Sequence, residues 1–196
     1  MLVRIYGLLA ILFTVSLVFS FYSLFTVDWV RYSSSKVGIP LPMSIRYGLF
    51  QKCFSWNDHC VPFPDPAAGD CDGSGEGGGA QFCDLWRVAR IGIMLAAVHG
   101  LTTFTALVST LFSSSFLQRK RWTMNTVFLS GHALLLTVSL GLVAHLFNVS
   151  SQFGAGTDLG PGFMVALVAV ILDVFATVIL ATAVLAHPPE YQVIAY

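Results

Sequence analysis

Four long apolar runs, separated by one long and two shorter polar stretches, set the organisation of this chain. They cover approximately Ile5–Thr26, Val88–Phe112, Thr126–Phe147 and Phe163–Ala186. Crossing ~30 Å of hydrocarbon takes roughly 20 residues of helix, so each run is long enough to span a bilayer. A lipid-exposed span has to satisfy its own backbone hydrogen bonds, which predicts helices here despite the many β-branched residues. The first run is longer than the apolar core of an ordinary signal peptide. It therefore reads as an uncleaved anchor, with a leader cleaved near Val18 and Ser20 as the alternative.

The polar stretches orient the spans. Arg119-Lys120-Arg121 fills the tight turn between spans two and three, and Arg4 precedes span one. By the positive-inside rule both are cytosolic, as are both termini and the tail 187–196. Segments 27–87 and 148–162 then face outward. All four cysteines (Cys53, Cys60, Cys71 and Cys83) fall in the first outer segment, the distribution an oxidising compartment produces.

Composition agrees with this plan. Of 196 residues, 56% are hydrophobic and 10% charged, with a mean hydropathy of +0.76, more apolar than a soluble domain of this size sustains. Ten basic and ten acidic residues balance. No basic patch with stacking aromatics points to nucleic acid. No metal-binding histidine cluster, nucleophile–base pair or phosphate loop points to an enzyme.

The first outer segment divides in two. Asp28 to Phe63 is rich in aromatic and β-branched residues, with runs such as Ile45–Phe50 suited to strands. Pro64 to Ala80 is acidic and rich in Pro and Gly, a connection without regular structure. Four cysteines allow three pairings. Cys53–Cys60 with Cys71–Cys83 is favoured, because the first would staple a hairpin and the second would close the glycine tract. Asp70-x-Asp72-x-Ser74-Gly75 imitates the start of a calcium loop, but Cys71 interrupts it and Gln81 holds its twelfth position. A solvated acidic linker is the better reading. The cysteines lack the paired short spacing of a zinc site.

Inside the spans, Asp173 stands near the middle of the fourth, where a carboxylate is costly and a functional candidate by default. It belongs to the series Ala169, Asp173, Thr177, Ala181, a small and polar stripe suited to a helix–helix interface. His99 shares a face with Gly92, Ala96, Gly100 and Thr103. At ~1.5 Å of rise per residue, His99 and Asp173 fall within a turn of each other in depth. The two are predicted to hydrogen-bond directly or through water, with His132 as second choice of partner. A satisfied pair that fixes helix register is favoured over a proton relay or ion path. Gly92-x3-Ala96-x3-Gly100 and Ala133-x3-Thr137-x3-Gly141 permit close packing, within the chain or against a partner.

Three short motifs remain. Asn148-Val149-Ser150 is an N-glycosylation sequon close to the end of span three. Pro188-Pro189-Glu190-Tyr191 matches the PPxY ligand of WW domains, which implies recruitment of a WW-domain ubiquitin ligase; the alternative is a proline stop and a disordered tail. Arg119-Lys120-Arg121-Trp122 reads as a topology determinant, with contact to anionic lipid as the alternative.

Trp29, Gly48-Leu49-Phe50, Cys53 and Cys60 resemble the W…GLW…C…C signature of the claudin and peripheral-myelin-protein superfamily, and Arg90 matches the arginine claudins carry at the start of span two. The likeness covers the four-span plan and the first outer segment; spans three and four match in character only. Phe50 replaces the second Trp, and Cys71, Cys83 and the glycine tract are extra. The chain is more similar to the fungal claudin-like tetraspans of the Sur7 and PalI (Rim9) type. The resemblance implies an all-α membrane protein, a left-handed four-helix bundle topped by a small antiparallel sheet, with Trp29 anchoring the sheet near the membrane surface. Elementary physics also places a Trp at a helix end, in the interfacial belt. The implied function is a non-enzymatic scaffold or adaptor of the plasma membrane, without cofactor, whose outer loop and helix faces bind other membrane or cell-surface proteins. The alternative is a channel or transporter component using Asp173 with His99 or His132.

Overall fold

A computed structural model describes residues 2–34, 43–57, 59–72, 79–150, 152–154 and 156–186. The chain runs α1 (Leu2–Phe25), β1 (Val30–Ser33), β2 (Ser44–Tyr47), β3 (Gln51–Phe54), β4 (Cys60–Pro62), α2 (Ala80–Leu111), α3 (Ser115–Lys120), α4 (Trp122–Val149), β5 (Thr157–Leu159) and α5 (Pro161–Ala186). Four of the helices are long and apolar enough to cross a membrane. They form a ring in which α1 and α4 each pack on both α2 and α5.

Each long helix is apolar on both sides. On α1, Tyr6, Leu9, Phe13, Leu17 and Leu24 recur at the helical period and are buried, while Val3, Ile11, Val15, Val18 and Tyr22 are exposed. An outer surface as apolar as the interior is the arrangement of a multi-pass membrane protein, since a water-soluble monomer does not sustain such patches.

The strands form one antiparallel sheet in the order β4-β3-β2-β1-β5. β5 comes from the segment between α4 and α5 and pairs with the edge of β1, Val30 opposite Leu159. Both inter-helix segments at this end thus merge into a single cap. Its seat on the bundle is backbone to backbone: Trp29 N–H donates to Tyr47, Gly160 N–H to Trp29 and Gly162 N–H to Asp28.

Two boundaries differ from the hydropathy reading. α2 starts at Ala80 instead of Val88, because Phe82, Cys83 and Trp86 are buried beneath the sheet. Its first two turns pack on the cap, so exposed Gln81, Asp84 and Arg87 are tolerated and no uniform apolar run marks them. The supposed tight turn contains α3. Buried Gln118 explains it: its side-chain amide donates to the Leu111 and Ser113 carbonyls at 3.2 Å, satisfying groups that the end of α2 leaves open.

Candidate functional site

The cap gathers most of the residues singled out in the sequence. Cys53 and Cys60 face each other across β3 and β4 and are disulfide-bonded, with Cα atoms 4.1 Å apart. Cys71 bonds Cys83 in the first turn of α2, tying the connection after β4 to the bundle. Trp29 is fully buried; its indole N–H donates to the Ser23 carbonyl at 2.6 Å, near the end of α1, and its ring meets Phe163 of α5 edge-on. The ring is enclosed between the sheet and the bundle, so it packs as core at the end of α1. Gly48 sits so close to the chain that a Cβ there would lie 2.8 Å from the Val27 Cα. Leu49 is buried and its carbonyl accepts from the Trp86 indole at 3.3 Å. Phe50 is half-exposed, and the Arg90 guanidinium lies over its ring at 5.3 Å, a cation–π geometry. Trp29, Gly48, Leu49, Phe50 and Arg90 are therefore one junction between α1, the β2–β3 turn and α2.

Sequence reasoning missed what lies beneath. Tyr47, Phe63, Phe82, Trp86 and Phe153 form an aromatic cluster of edge-to-face, tilted and, for Phe82 on Trp86, stacked rings with neighbouring centroids 5.1–5.9 Å apart. These rings come from a strand, two loops and a helix, so no periodicity links them. Asp70, read above as part of a solvated linker, is buried: it pairs with the Lys52 ammonium and accepts the Asp65 N–H at 3.0 Å. The reason is local, since Asp65 opens a single 3-10 turn that folds Asp70 back under β3. Burial first, then the charge of Asp70 and the neighbouring Tyr32, pushes the Tyr47 hydroxyl above its ordinary pKa. Ser74 and Gly75 lie outside the described residues. Among the described residues, no three His, Cys, Asp or Glu side chains converge as a metal site.

The second constellation is in the bundle core. His132 Nδ1 of α4 lies 2.7 Å from Asp173 Oδ2 of α5, both side chains fully buried. His99 is not the partner of Asp173; its Nε2 lies 3.1 Å from the Phe128 carbonyl of α4. Counting rise along a helix gives depth and leaves the direction round the axis open, and direction decides here. Two glycines set it. A Cβ on Gly131 would stand 2.9 Å from His99 Nε2, and one on Gly100 would stand 2.9 Å from His132 Nε2. Each imidazole thus occupies the space the opposite helix leaves at a glycine. The buried stripe of α5 is Ala166, Ala169, Asp173, Ala176 and Leu180, not the four-residue series through Thr177 and Ala181, because steps of four drift about 40° per repeat. Of the two small-residue stripes, Ala96 and Gly100 face inward, whereas Thr137 and Gly141 of α4 are exposed.

Among the described residues no protein group hydrogen-bonds the buried His132 Nε2 or Asp173 Oδ1, an exception in protein interiors. Phe13 closes the site from α1, its ring 5.1 Å from the imidazole. No protein-family model matches the chain, and comparison with curated proteins gives no match either. What the site can do rests on its own geometry.

A third polar group lies at the end away from the cap and was not foreseen. The Tyr6 hydroxyl donates to the Gln118 carbonyl at 3.1 Å, and the Asn125 amide donates to Thr110 at 3.1 Å. Asn125 stands just before the predicted third span, where a polar residue draws no attention. Asn148 belongs to the last turn of α4, with its amide on the Ala144 carbonyl at 2.7 Å, and the Ser150 of the sequon is buried. Pro188, Pro189 and Tyr191 lie outside the described residues.

Proposed function

We propose that the protein is a non-enzymatic tetraspan scaffold of the plasma membrane, claudin-like and nearest the fungal Sur7 and PalI type, with both termini cytosolic. Its cap presents a binding surface outside, and its helix faces meet other membrane proteins. The observation that carries this is the cap itself: two segments far apart in sequence make one five-stranded sheet, held by two disulfides. Such a rigid platform presents side chains without ordering cost on binding. Trp56, 54% exposed and tilted against Phe54 at the β3–β4 turn, is the sort of aromatic anchor that dominates interfaces. In this reading His132–Asp173 fixes the register of α4 on α5, and the Pro188–Tyr191 tail offers a docking sequence to a WW-domain ligase.

A second reading, a channel or transporter component, draws support from the two atoms of the His132–Asp173 pair that no protein group hydrogen-bonds among the described residues. Purification in mild detergent with identification of co-purifying membrane proteins separates the two. A stoichiometric partner, lost when Trp56 is changed to Ala, supports the scaffold. A lone oligomer that conducts ions in liposomes, with flux abolished by Asp173→Asn, overturns it.

A further inference from the structure

We infer that the corner of the bundle opposite the cap, where α1 begins and α3 links α2 to α4, is a binding surface for anionic phospholipid headgroups. The inference rests on the membrane reading above and adds a lipid class to it. Charge is distributed very unevenly between the two ends. No Asp or Glu occurs before Asp28 or between Leu85 and Thr157, so the corner receives Arg4 and the Arg-Lys-Arg of positions 119–121 without an acidic residue from any of these segments. Glu190 lies in the tail outside the described residues.

At the capped end, cations stand among carboxylates. Arg31 pairs with Asp28 at 3.0 Å and Lys52 with Asp70, and Arg90 lies over Phe50. Arg46 and Arg87 share this end with Asp28, Asp65, Asp70, Asp72, Asp84 and Asp158, and these two arginines form no ion pair among the described residues. At the corner, Arg4 and Lys120 are exposed and Arg121 is partly exposed, and none has an acidic partner among the described residues. Beside them Phe112 is 84% and Phe116 is 73% exposed, and Trp122 is partly exposed. Cations next to outward aromatic side chains are the composition of an interfacial segment, with rings among acyl chains and charges at the headgroups. α3 is not a loose linker, because the Tyr6–Gln118 and Gln118–Leu111 bonds fix it to α1 and α2. The cations are thus held at one place on the bundle, where each favours an anionic surface by about fivefold at low salt.

Spin-labelled lipids test this. The full-length protein is reconstituted into phosphatidylcholine bilayers containing traces of labelled phosphatidylcholine or labelled phosphatidylglycerol, and the motionally restricted fraction of each is measured. The expected result is a severalfold preference for phosphatidylglycerol that falls toward unity at high salt and drops in Lys120→Gln/Arg121→Gln. The salt series on the unaltered protein keeps the test independent of how that variant inserts. Equal restriction of both lipids, or a preference insensitive to salt, overturns the anionic surface while leaving the membrane reading intact. Absence of any restricted lipid overturns the membrane reading itself.

Discussion

Removal of the Asp173 carboxyl is the sharpest perturbation of the core. In Asp173→Ala, His132 loses its Nδ1 partner at 2.7 Å. Leaving a buried imidazole nitrogen without its partner costs about 1–3 kcal/mol, with a smaller addition for the vacated volume. Loss of about 2–4 kcal/mol is expected. Asp173→Asn keeps an oxygen at the same reach, and interhelical hydrogen bonds in lipid are individually worth only about 0.6–2 kcal/mol, so its loss is expected near 1 kcal/mol. His132→Ala removes the other half, and the double variant leaves no orphan behind. The decisive quantity is the coupling energy of the cycle, read from reversible unfolding of the four proteins in mixed micelles. A coupling of at least about 1 kcal/mol is expected for residues in direct contact; a value below about 0.5 kcal/mol, the limit of additivity for independent sites, refutes the pairing.

Other outcomes follow from the same geometry. Gly100→Ala would push a methyl group to 2.6 Å from Leu17 Cδ1 and 2.9 Å from His132 Nε2; a loss of about 1–3 kcal/mol is expected, and combined with His132→Ala it should cost less than the sum of the two single losses in a thermal-unfolding comparison. Replacing Cys53 and Cys60 by Ser opens a loop of sequence separation 7, and replacing Cys71 and Cys83 opens one of 12; each change should lower stability by roughly 2–3 kcal/mol, measurable as a Tm loss that reductant reproduces in the native protein. Trp29→Ala should cost about 3–5 kcal/mol, whereas exposed Trp56→Ala should stay within about 0.5 kcal/mol of the native stability; equal losses in a denaturation series would contradict the burial argument. Tyr47 has its pKa raised in the folded state, so the folded protein holds this proton more tightly. Its contribution is complete below the unfolded value of 10.0 and is lost as pH rises through the folded value. Tyr47→Phe should flatten the stability decline at alkaline pH, seen as a smaller change in unfolding midpoint between about pH 9 and 11 than in the native chain.

What could be read in advance is what one helix or one hairpin decides by itself. Apolar length located four helices, and the spacing of Cys53 and Cys60 suited a hairpin staple. The parts that escaped depend on how elements face one another. Trp29 looks interfacial from its place at the end of a span, and only the sheet folded over it makes it buried. Phe82 and Trp86 fall before the apolar run, yet they extend α2 because the cap supplies the surface they pack on. Depth favours His99 over His132 as the partner of Asp173, and Gly131 and Gly100 reverse that order by receiving one ring each. Asp70 carries the composition of a linker; the local turn at Asp65 folds it back, and the charge that partners it there is Lys52, on a strand eighteen positions earlier.

The way the cap grips the helices also bears on which function is physically reasonable. α1 is held through the Trp29 indole on the Ser23 carbonyl, α2 through Trp86 on Leu49 and through the Cys71–Cys83 bond, and α5 through Gly162 on Asp28. β5 lies directly between α4 and α5, so the α4–α5 connection is itself part of the sheet. Alternating access requires one group of helices to rock against another about a central site. Rocking of α1 against α5 would break the Trp29–Phe163 contact together with the β1–β5 ladder, and separating α4 from α5 would open the buried His132–Asp173 bond. Packed interfaces of this kind switch between discrete states or do not move, and the register in which β5 pairs with β1 sets Val30 opposite Leu159. The splay of the bundle is therefore fixed from one end, and a transport cycle of the rocking type would have to break these contacts at every turnover.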